Sequence, residues 1–498
     1  MGIDGNDVAF AGWLDRCIAV TALVVVANRL PVEIGVDGSL SASPGGLASA
    51  LSSIIQPGTQ WVGWGGPESG TAAAFDYGDV RLHPVSLSAD EMSKYYDGFA
   101  NAILWPLFHG RLRRVELNRV WWRSYRAVNE RFARAVTAVA PLGATVWVHD
   151  YHLLLAPAMI RAKRPDLRVG LFLHIPFPNV QLFSMLPWRR EVIEGMLGAD
   201  LVGFQVADDA ANFVAAAERL VDARAGDHLL LDGSHPVIVD AFPISVDFAQ
   251  WDALGHRATA EARALREELG DGTIFLGIDR LDYTKGISQR LQAFGELINE
   301  GRLDAASCTF AQVAVPSRSD VVAYQDERSE IEALIDAINA RHRRDDGSLP
   351  IRYMATSLDE VAMTAWFQAA DALVVTSLAD GMNLVAKEFV AARSDLGGVL
   401  VLSEFAGAAQ DLEGALIVNP YDIEAVKQAL VAVTEMPLVE RTSRMKSMRA
   451  AVERHDVHHW ARSFLERLDS VTPARGRGGL ADKLTAIRRA GRRHDRKE

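Results

Sequence analysis

The chain has 498 residues, 49% hydrophobic and 23% charged, the composition of a folded, soluble protein of two or three domains whose core needs no disulfide or metal to hold it. Its net charge of −12 excludes a general nucleic-acid binder. Its two cysteines, Cys17 and Cys308, lie far apart, which fits a reducing cytoplasmic location and offers no zinc-ligand spacing.

Residues 1–20 read as an extension. The apolar run Cys17 to Ala27 is too short to span a bilayer, and Asp4, Asp7 and Asp15 replace the basic flank of a signal peptide. Within it, Leu23–Ala27 has the continuous β-branched character of a central parallel strand, and it ends at Asn28-Arg29-Leu30-Pro31. An Arg at a strand's carboxyl end stands where α/β folds place ligands, or in a surface ion pair. Ser43-Pro44-Gly45-Gly46-Leu47 opens a helical pattern, and its two glycines allow a phosphate or sugar to come close to the backbone. Gln60–Trp64 is the next strand. Tyr95 to His109 is dense in aromatics, among them Tyr96 and Trp105; such residues serve as core, or as flat walls for sugars. Ala144–Val148 is a strand ending in His149-Asp150-Tyr151-His152, and Arg168–Leu173 one ending in His174-Ile175-Pro176. Helices are expected over Gln181–Met196 and Asp208–Leu220 with the strand Leu201–Phe204 between them, and short strands up to Pro243.

A helical stretch, Phe248–Leu269, precedes a second α/β series. Thr273–Ile278 leads into Asp279-Arg280-Leu281-Asp282-Tyr283-Thr284-Lys285-Gly286, where two cations share one strand-to-helix turn. They suit a diphosphate, or an exposed charged loop. Cys308–Val315 ends near Arg318. Ala372–Thr376 runs into Asp380-Gly381-Met382-Asn383-Leu384 and a helix carrying Glu388. That helix start can receive an anion between carboxylates, or can be an ordinary βα turn. Strands at Val399–Leu402 and Ala415–Val418 follow, then helices to Leu468 and a basic tail, residues 473–498. Two such series imply an α/β protein with two Rossmann-like domains, residues 21–245 and 246–455, facing a central cleft. No internal repeat, Walker loop, Gly-x-Ser-x-Gly elbow or metal-ligand set is evident in the sequence.

These motifs together resemble those of the trehalose-6-phosphate synthases, retaining glucosyltransferases of GT-B fold, from about Val24 to Leu468. The resemblance rests on Ala27–Pro31, Gly45–Leu47, Tyr96 with Leu104–Pro106, Val148–Leu153, His174–Pro178, Arg280–Gly286, Pro316–Arg318 and Asp380–Glu388. It implies glucose transfer from a nucleoside diphosphate glucose (uridine, adenosine or guanosine) to glucose 6-phosphate, giving α,α-trehalose 6-phosphate with retention. It implies Arg280 and Lys285 on the donor diphosphate, backbone N–H groups of Asn383 and Leu384 beside them in the Gly381-Met382 turn, and Glu388 on the ribose. Asp380 and His174 would hold the transferred glucose, with Gly46 close to the donor. Arg29, Tyr96, Trp105 and Arg318 would form the acceptor site, with Asp150 on the acceptor sugar. Asp150, His174, Arg280, Lys285 and Asp380 are the catalytic set implied. No metal, cofactor, nucleic acid or membrane is implied; a homo-oligomer is compatible with the chain.

The family's favoured course is a same-face reaction in which the leaving phosphate takes the acceptor's proton; Asp150 and Asp380 are the carboxylates a double displacement would call on. GT-B folds also imply closure of the domains over both substrates, and a last helix, residues 456–472, crossing back to the first domain. Other readings are a different acceptor, such as glycerol 3-phosphate or a cyclitol, and a silent ligand-sensing subunit. The latter would be expected to lack Arg280, Lys285, Asp380 or Glu388.

Overall fold

The computed structural model describes residues 22–471 apart from 36, 44–50, 52–53, 56, 68–69, 71, 112–115, 227, 232–234 and 317–321. Gly46 and Arg318 therefore lie outside the described residues. The chain divides into two units. One comprises the described residues up to Phe242 together with those from Arg462 onward; the other runs from Pro243 to Ala461.

The first unit is built on β1 (Leu23–Arg29), β4 (Gln60–Trp64), β5 (Phe75–Tyr77), β6 (Val80–Pro84), β7 (Thr145–His149), β8 (Arg168–Phe172), β9 (Leu201–Phe204), β10 (Leu229–Leu231) and β11 (His235–Ala241). Among the described residues these form one sheet in the order β10-β11-β9-β8-β7-β1-β4-β6-β5. The run from β11 to β6 is parallel, and the outermost pairs β10–β11 and β5–β6 are antiparallel. A separate hairpin, β2 (Val32–Ile34) with β3 (Leu40–Ala42), follows β1. The continuous Val run of β1 is buried throughout because the strand sits mid-sheet with both faces covered.

Helix α1 (Arg119–Val139) starts at Asn118, whose side chain accepts from Val120 N at 2.8 Å. It buries Trp122, Tyr125, Asn129, Phe132 and Val136 at helical spacing. The aromatic stretch before it is a continuous helical run: a first turn Ala89–Glu91, a π-helical segment Met92–Leu104 and a last turn Trp105–Phe108. The wider turns alter which side chains share a face. The helix expected over Gln181–Met196 is two, Val180–Phe183 and Arg189–Met196, separated at Leu186-Pro187, where proline lacks the N–H a continuing helix needs. The helical stretch Phe248–Leu269 likewise breaks at Ala258, between Phe248–Arg257 and Thr259–Leu269.

The second unit holds β12 (Thr273–Arg280), β13 (Cys308–Val315), β14 (Ile351–Met354), β15 (Ala372–Val375), β16 (Val399–Ser403) and β17 (Leu416–Val418). Its sheet order is β14-β13-β12-β15-β16-β17, parallel at every pairing. The order reverses between β12 and β15, the crevice where such sheets place ligands. Phe275, Phe294 and Phe310 centre a core that α2 (Ile287–Asn299) closes from one side. From β15 the chain enters α3 (Leu384–Ala392).

The last helix, α4 (Val457–Asp469), begins in the second unit and ends in the first. Val457 N donates to Val246 O at 3.1 Å within the second unit. Within the first, the buried Phe464 ring stacks on Trp147 with centroids 4.9 Å apart. Gly170 in β8 and Gly203 in β9 make room for that ring: a Cβ on either would stand 2.8 or 2.7 Å from it.

Candidate active site

In the first unit the candidate residues gather at the carboxyl ends of β1, β7 and β8. Arg29 ends β1 with its guanidinium carbon 4.9 Å from the Trp64 ring centre and 5.7 Å from that of Tyr96. Its Nη1 donates to Glu33 Oε1 at 2.5 Å, so the ion-pair reading of Arg29 is met as well, by a partner the sequence does not single out. Tyr96 stacks on His152 at 5.5 Å, Tyr151 packs on His152 at 4.0 Å, and Trp105 lies 5.7 Å from Tyr151. Arg29, Tyr96 and Trp105 are thus joined by one chain of ring contacts.

Asp150 takes a backbone conformation, φ 73° and ψ 170°, that is almost confined to glycine. Its surroundings hold it there. Asp150 N donates to Phe172 O at 2.8 Å, and Leu153 N to Asp150 O at 3.2 Å. Buried Asn129 donates to His152 O at 3.0 Å and accepts from Leu155 N at 3.1 Å, while Tyr125 Oη donates to Tyr151 O at 2.7 Å. The turn is therefore anchored on α1 from below. Asp150 Oδ1 in turn accepts from His174 N at 3.2 Å. His174 Nε2 lies 3.1 Å from Nδ1 of the fully buried His149. Burial pushes the His174 imidazole down to about 3, so this ring is neutral across physiological pH. It can share hydrogen bonds with hydroxyls but carries no charge.

In the second unit the candidates converge at the β12–β15 switch point. Arg280 ends β12 and is exposed. Lys285 Nζ donates to Asp380 Oδ2 at 2.6 Å, and both side chains are largely buried. Asp380 Oδ2 also accepts from Ser377 Oγ at 3.1 Å and Asn383 Nδ2 at 3.0 Å. Gly286 follows Lys285 with φ 60°, and a Cβ there would stand 2.0 Å from Thr376 O; only glycine lets the loop lie against β15's exit. Leu378 N completes the seam by donating to Thr284 O at 2.7 Å.

Beneath the loop, Arg290 of α2 is wholly buried. It donates to Asp279 Oδ2 at 2.5 Å and Gln312 Oε1 at 2.9 Å, and more weakly to Lys285 O at 3.4 Å. This support was missed from sequence; its only trace there is an Asp at the end of an apolar strand.

Asn383 is the N-cap of α3, with φ 74°, and its side chain accepts from Ala386 N at 3.0 Å. With Asn383 as the cap and its side chain on Ala386 N, the helix-start amides are those of Leu384 and Val385 rather than the Asn383 and Leu384 pair expected from the sequence. Met382 is buried, and its carbonyl accepts from Ala408 N at 2.9 Å. Glu388, one turn along α3 from Leu384, is half-buried; burial, with Glu360 adding to it, pushes its carboxyl up to about 8. Next to it, Lys387 is buried and donates to Asp411 Oδ2 at 2.6 Å and Ile244 O at 2.9 Å, another residue that the motif alone did not single out. Among the described residues, no group of His, Cys, Asp and Glu is placed to hold a metal ion, and no helix is long and apolar enough to cross a membrane.

Residues 21–470 match glycosyltransferase family 20. A trehalose-6-phosphate synthase of Mycobacterium sp. (strain KMS) is 47% identical over 465 residues, covering 89% of this chain and 94% of that one. Among solved structures, a UDP-forming α,α-trehalose-phosphate synthase from Burkholderia xenovorans in complex with glucose-6-phosphate superposes with a TM-score of 0.84 at 34% identity. It covers 90% of this chain and 100% of its own. A structure described as trehalose-6-phosphate from E. coli bound with UDP-2-fluoro glucose gives a TM-score of 0.84 at 33% identity, covering 91% and 100%.

Proposed function

From a chain that belongs to glycosyltransferase family 20, with the α/β GT-B fold of its solved relatives, we infer the following reaction. The enzyme transfers glucose from a nucleoside diphosphate glucose to glucose 6-phosphate, forming α,α-trehalose 6-phosphate with retention at the anomeric carbon. Uridine diphosphate glucose is the first donor to consider, because the Burkholderia relative is UDP-forming and the E. coli structure holds a UDP-sugar analogue. The observation that carries the reading in this chain is the pairing of Lys285 with Asp380 beside Arg280 and the α3 start.

In the proposed donor half-site, Arg280 and Lys285 face the diphosphate, where negative charge builds as the glycosidic bond breaks. The amides of Leu384 and Val385 add donors at the positive end of α3. Asp380 accepts from glucose hydroxyls while its contacts to Ser377 and Asn383 fix its orientation. Glu388 accepts from the ribose. In the acceptor half-site, Arg29 meets the phosphate of glucose 6-phosphate, with Tyr96 and Trp105 as walls and Arg318 as the second cation. Asp150 addresses hydroxyls of the acceptor sugar, and the neutral His174, beside it, those of the transferred glucose. Asp150 already accepts from the His174 backbone amide, and Asp380 from the Lys285, Ser377 and Asn383 side chains, so neither carboxylate is poised as a nucleophile, which supports the same-face course. As the bond from the donor's anomeric carbon to the phosphate oxygen breaks, that phosphate oxygen takes the proton of the acceptor's 1-hydroxyl, and the acceptor's own oxygen bonds to the donor's anomeric carbon.

The test is nucleotide release from UDP-, ADP- and GDP-glucose, each with and without glucose 6-phosphate. Release that depends on glucose 6-phosphate with at least one donor is expected. Release equal in its absence would assign a hydrolase, and release only with another acceptor would replace glucose 6-phosphate.

A further inference from the structure

We propose that His149 is a positioning residue that fixes the tautomer of His174, keeping the proton on His174 Nε2 and leaving Nδ1 as an acceptor. The proposal rests on His174 addressing a sugar hydroxyl for its functional meaning, but not for its structural content.

The geometry lies within one unit. β7 ends in His149 and β8 runs beside it, with His149 in register with Phe172. Two residues beyond Phe172 the chain brings His174 Nε2 to 3.1 Å from His149 Nδ1, with the rings 29° apart in plane. His149 is fully buried against Trp147, at 4.6 Å between ring centres, while His174 is partly exposed. His174 N is held by Asp150 Oδ1, which fixes the backbone that carries the His174 ring, while burial against Trp147 fixes the His149 ring. At 3.1 Å, only one proton fits between the two nitrogens, so one ring must donate and the other accept.

Two arrangements satisfy that rule. If His149 donates from Nδ1, both rings carry their proton on Nδ1, the form an isolated imidazole side chain favours less. If His174 donates from Nε2, both rings keep the Nε2–H form. The second arrangement makes the hydrogen bond at no tautomeric cost. A ring's second nitrogen is defined by what the first one does. His174 Nδ1 then bears a lone pair, which accepts from a hydroxyl and cannot donate to one. A histidine on the surface would interconvert between forms; here a buried second histidine selects one.

The experiment is ring 15N spectroscopy of the full chain labelled at histidine, near pH 7.5, with His174→Phe used to assign the signal. No substrate is required. In the unaltered protein His174 should show a protonated-type shift at Nε2 and an unprotonated-type shift at Nδ1. His149→Phe should move both toward averaged values. His149→Asn, whose amide oxygen stands near the position of Nδ1, should restore the original pattern. Glucosyl transfer should follow: kcat/KM for the donor falls roughly tenfold in His149→Phe, the scale of one hydrogen bond, and recovers in His149→Asn. An Nδ1–H or averaged pattern in the unaltered protein overturns the proposal even if His149→Phe fails to fold. So does a pattern unchanged by His149→Phe. Absence of glucosyl transfer in the unaltered protein would instead bear on the proposed reaction, because the spectra do not depend on it.

Discussion

Lys285 and Asp380 come from two different strand exits, 95 residues apart in sequence, and meet at 2.6 Å in a largely buried ion pair. The pair bridges the exits of β12 and β15 at the switch point of the second sheet. Each partner orients the other, so in the proposed donor site a diphosphate sugar would meet a cation and a carboxylate already set. Pre-set charge of this kind contributes most to catalysis because it need not reorganise during the reaction.

Removing the cation should therefore cost turnover. Lys285→Met is expected to lower kcat by about 10²–10³-fold, the scale seen when one charge-stabilising group is lost. Because the two residues act as a pair, Lys285→Met combined with Asp380→Asn should lose less than the product of the single effects. Steady-state kinetics of the four proteins check this; fully multiplicative losses would mean the pair does not work as a unit.

Asp150 offers a test that separates strain from chemistry. Its φ of 73° with ψ near 170° costs a non-glycine residue about 1–3 kcal/mol. Asp150→Gly and Asp150→Ala both delete the carboxylate and should impair transfer alike. Asp150→Gly should be the more stable of the two by about 1–2 kcal/mol. Urea denaturation of both variants measures the difference; equal stabilities would show that the turn relaxes freely.

The buried Arg290–Asp279 pair is expected to behave as structure. Asp279→Ala strands a guanidinium with no exposure and should destabilise by about 3–5 kcal/mol. Burial pushes the Asp279 carboxyl upward even with Arg290 beside it, so the pair is held against a desolvation cost. Thermal or urea unfolding reads the change, and a loss below about 1 kcal/mol would indicate that water reaches Arg290.

Glu388 gives a pH signature. Its folded carboxyl sits at about 8 against an ordinary 4.5, so the folded state binds the proton more tightly than the unfolded chain. The stability this contributes is fully present below about 4.5 and is lost as pH rises through about 8. Glu388→Gln should flatten the decline in melting temperature between those limits. If ribose hydroxyls donate to the carboxylate, donor affinity of the unaltered enzyme should also strengthen over the upper part of that range, with proton release on binding measurable by calorimetry in buffers of different ionisation enthalpy. Parallel melting curves for Glu388→Gln and the parent would remove Glu388 as the titrating group.

Much of this arrangement was legible beforehand, for physical reasons. Val24–Val26 and Leu373–Val375 are apolar runs that only a strand covered on both faces would carry, and the polar residues after them mark strand exits. Local chemistry also located Gly286 in a strand-to-helix turn and Asn383 at the start of a helix. What could not be read were pairings set by tertiary contact. Glu33 lies four residues from Arg29 on a hairpin, not a helix, so no periodic rule joins them. Arg290 faces inward on α2, where charge alone suggests an exposed site. Asp150's glycine-like φ has no sequence marker, since aspartate is common in ordinary turns. The π-helical run at Tyr95 and Tyr96 follows from packing rather than composition. Gly46 and Arg318 stay as expectations of the resemblance, outside the described residues.

In the proposed reaction one glucose passes from a nucleoside diphosphate to the anomeric oxygen of glucose 6-phosphate. The most direct measurement is NMR of the product formed from UDP-glucose labelled with 13C at the anomeric carbon. The expected product is a non-reducing disaccharide phosphate with the labelled carbon α-configured and bonded through oxygen to the acceptor's anomeric carbon. A reducing-end product, a β-configured labelled carbon, or free labelled glucose would contradict it.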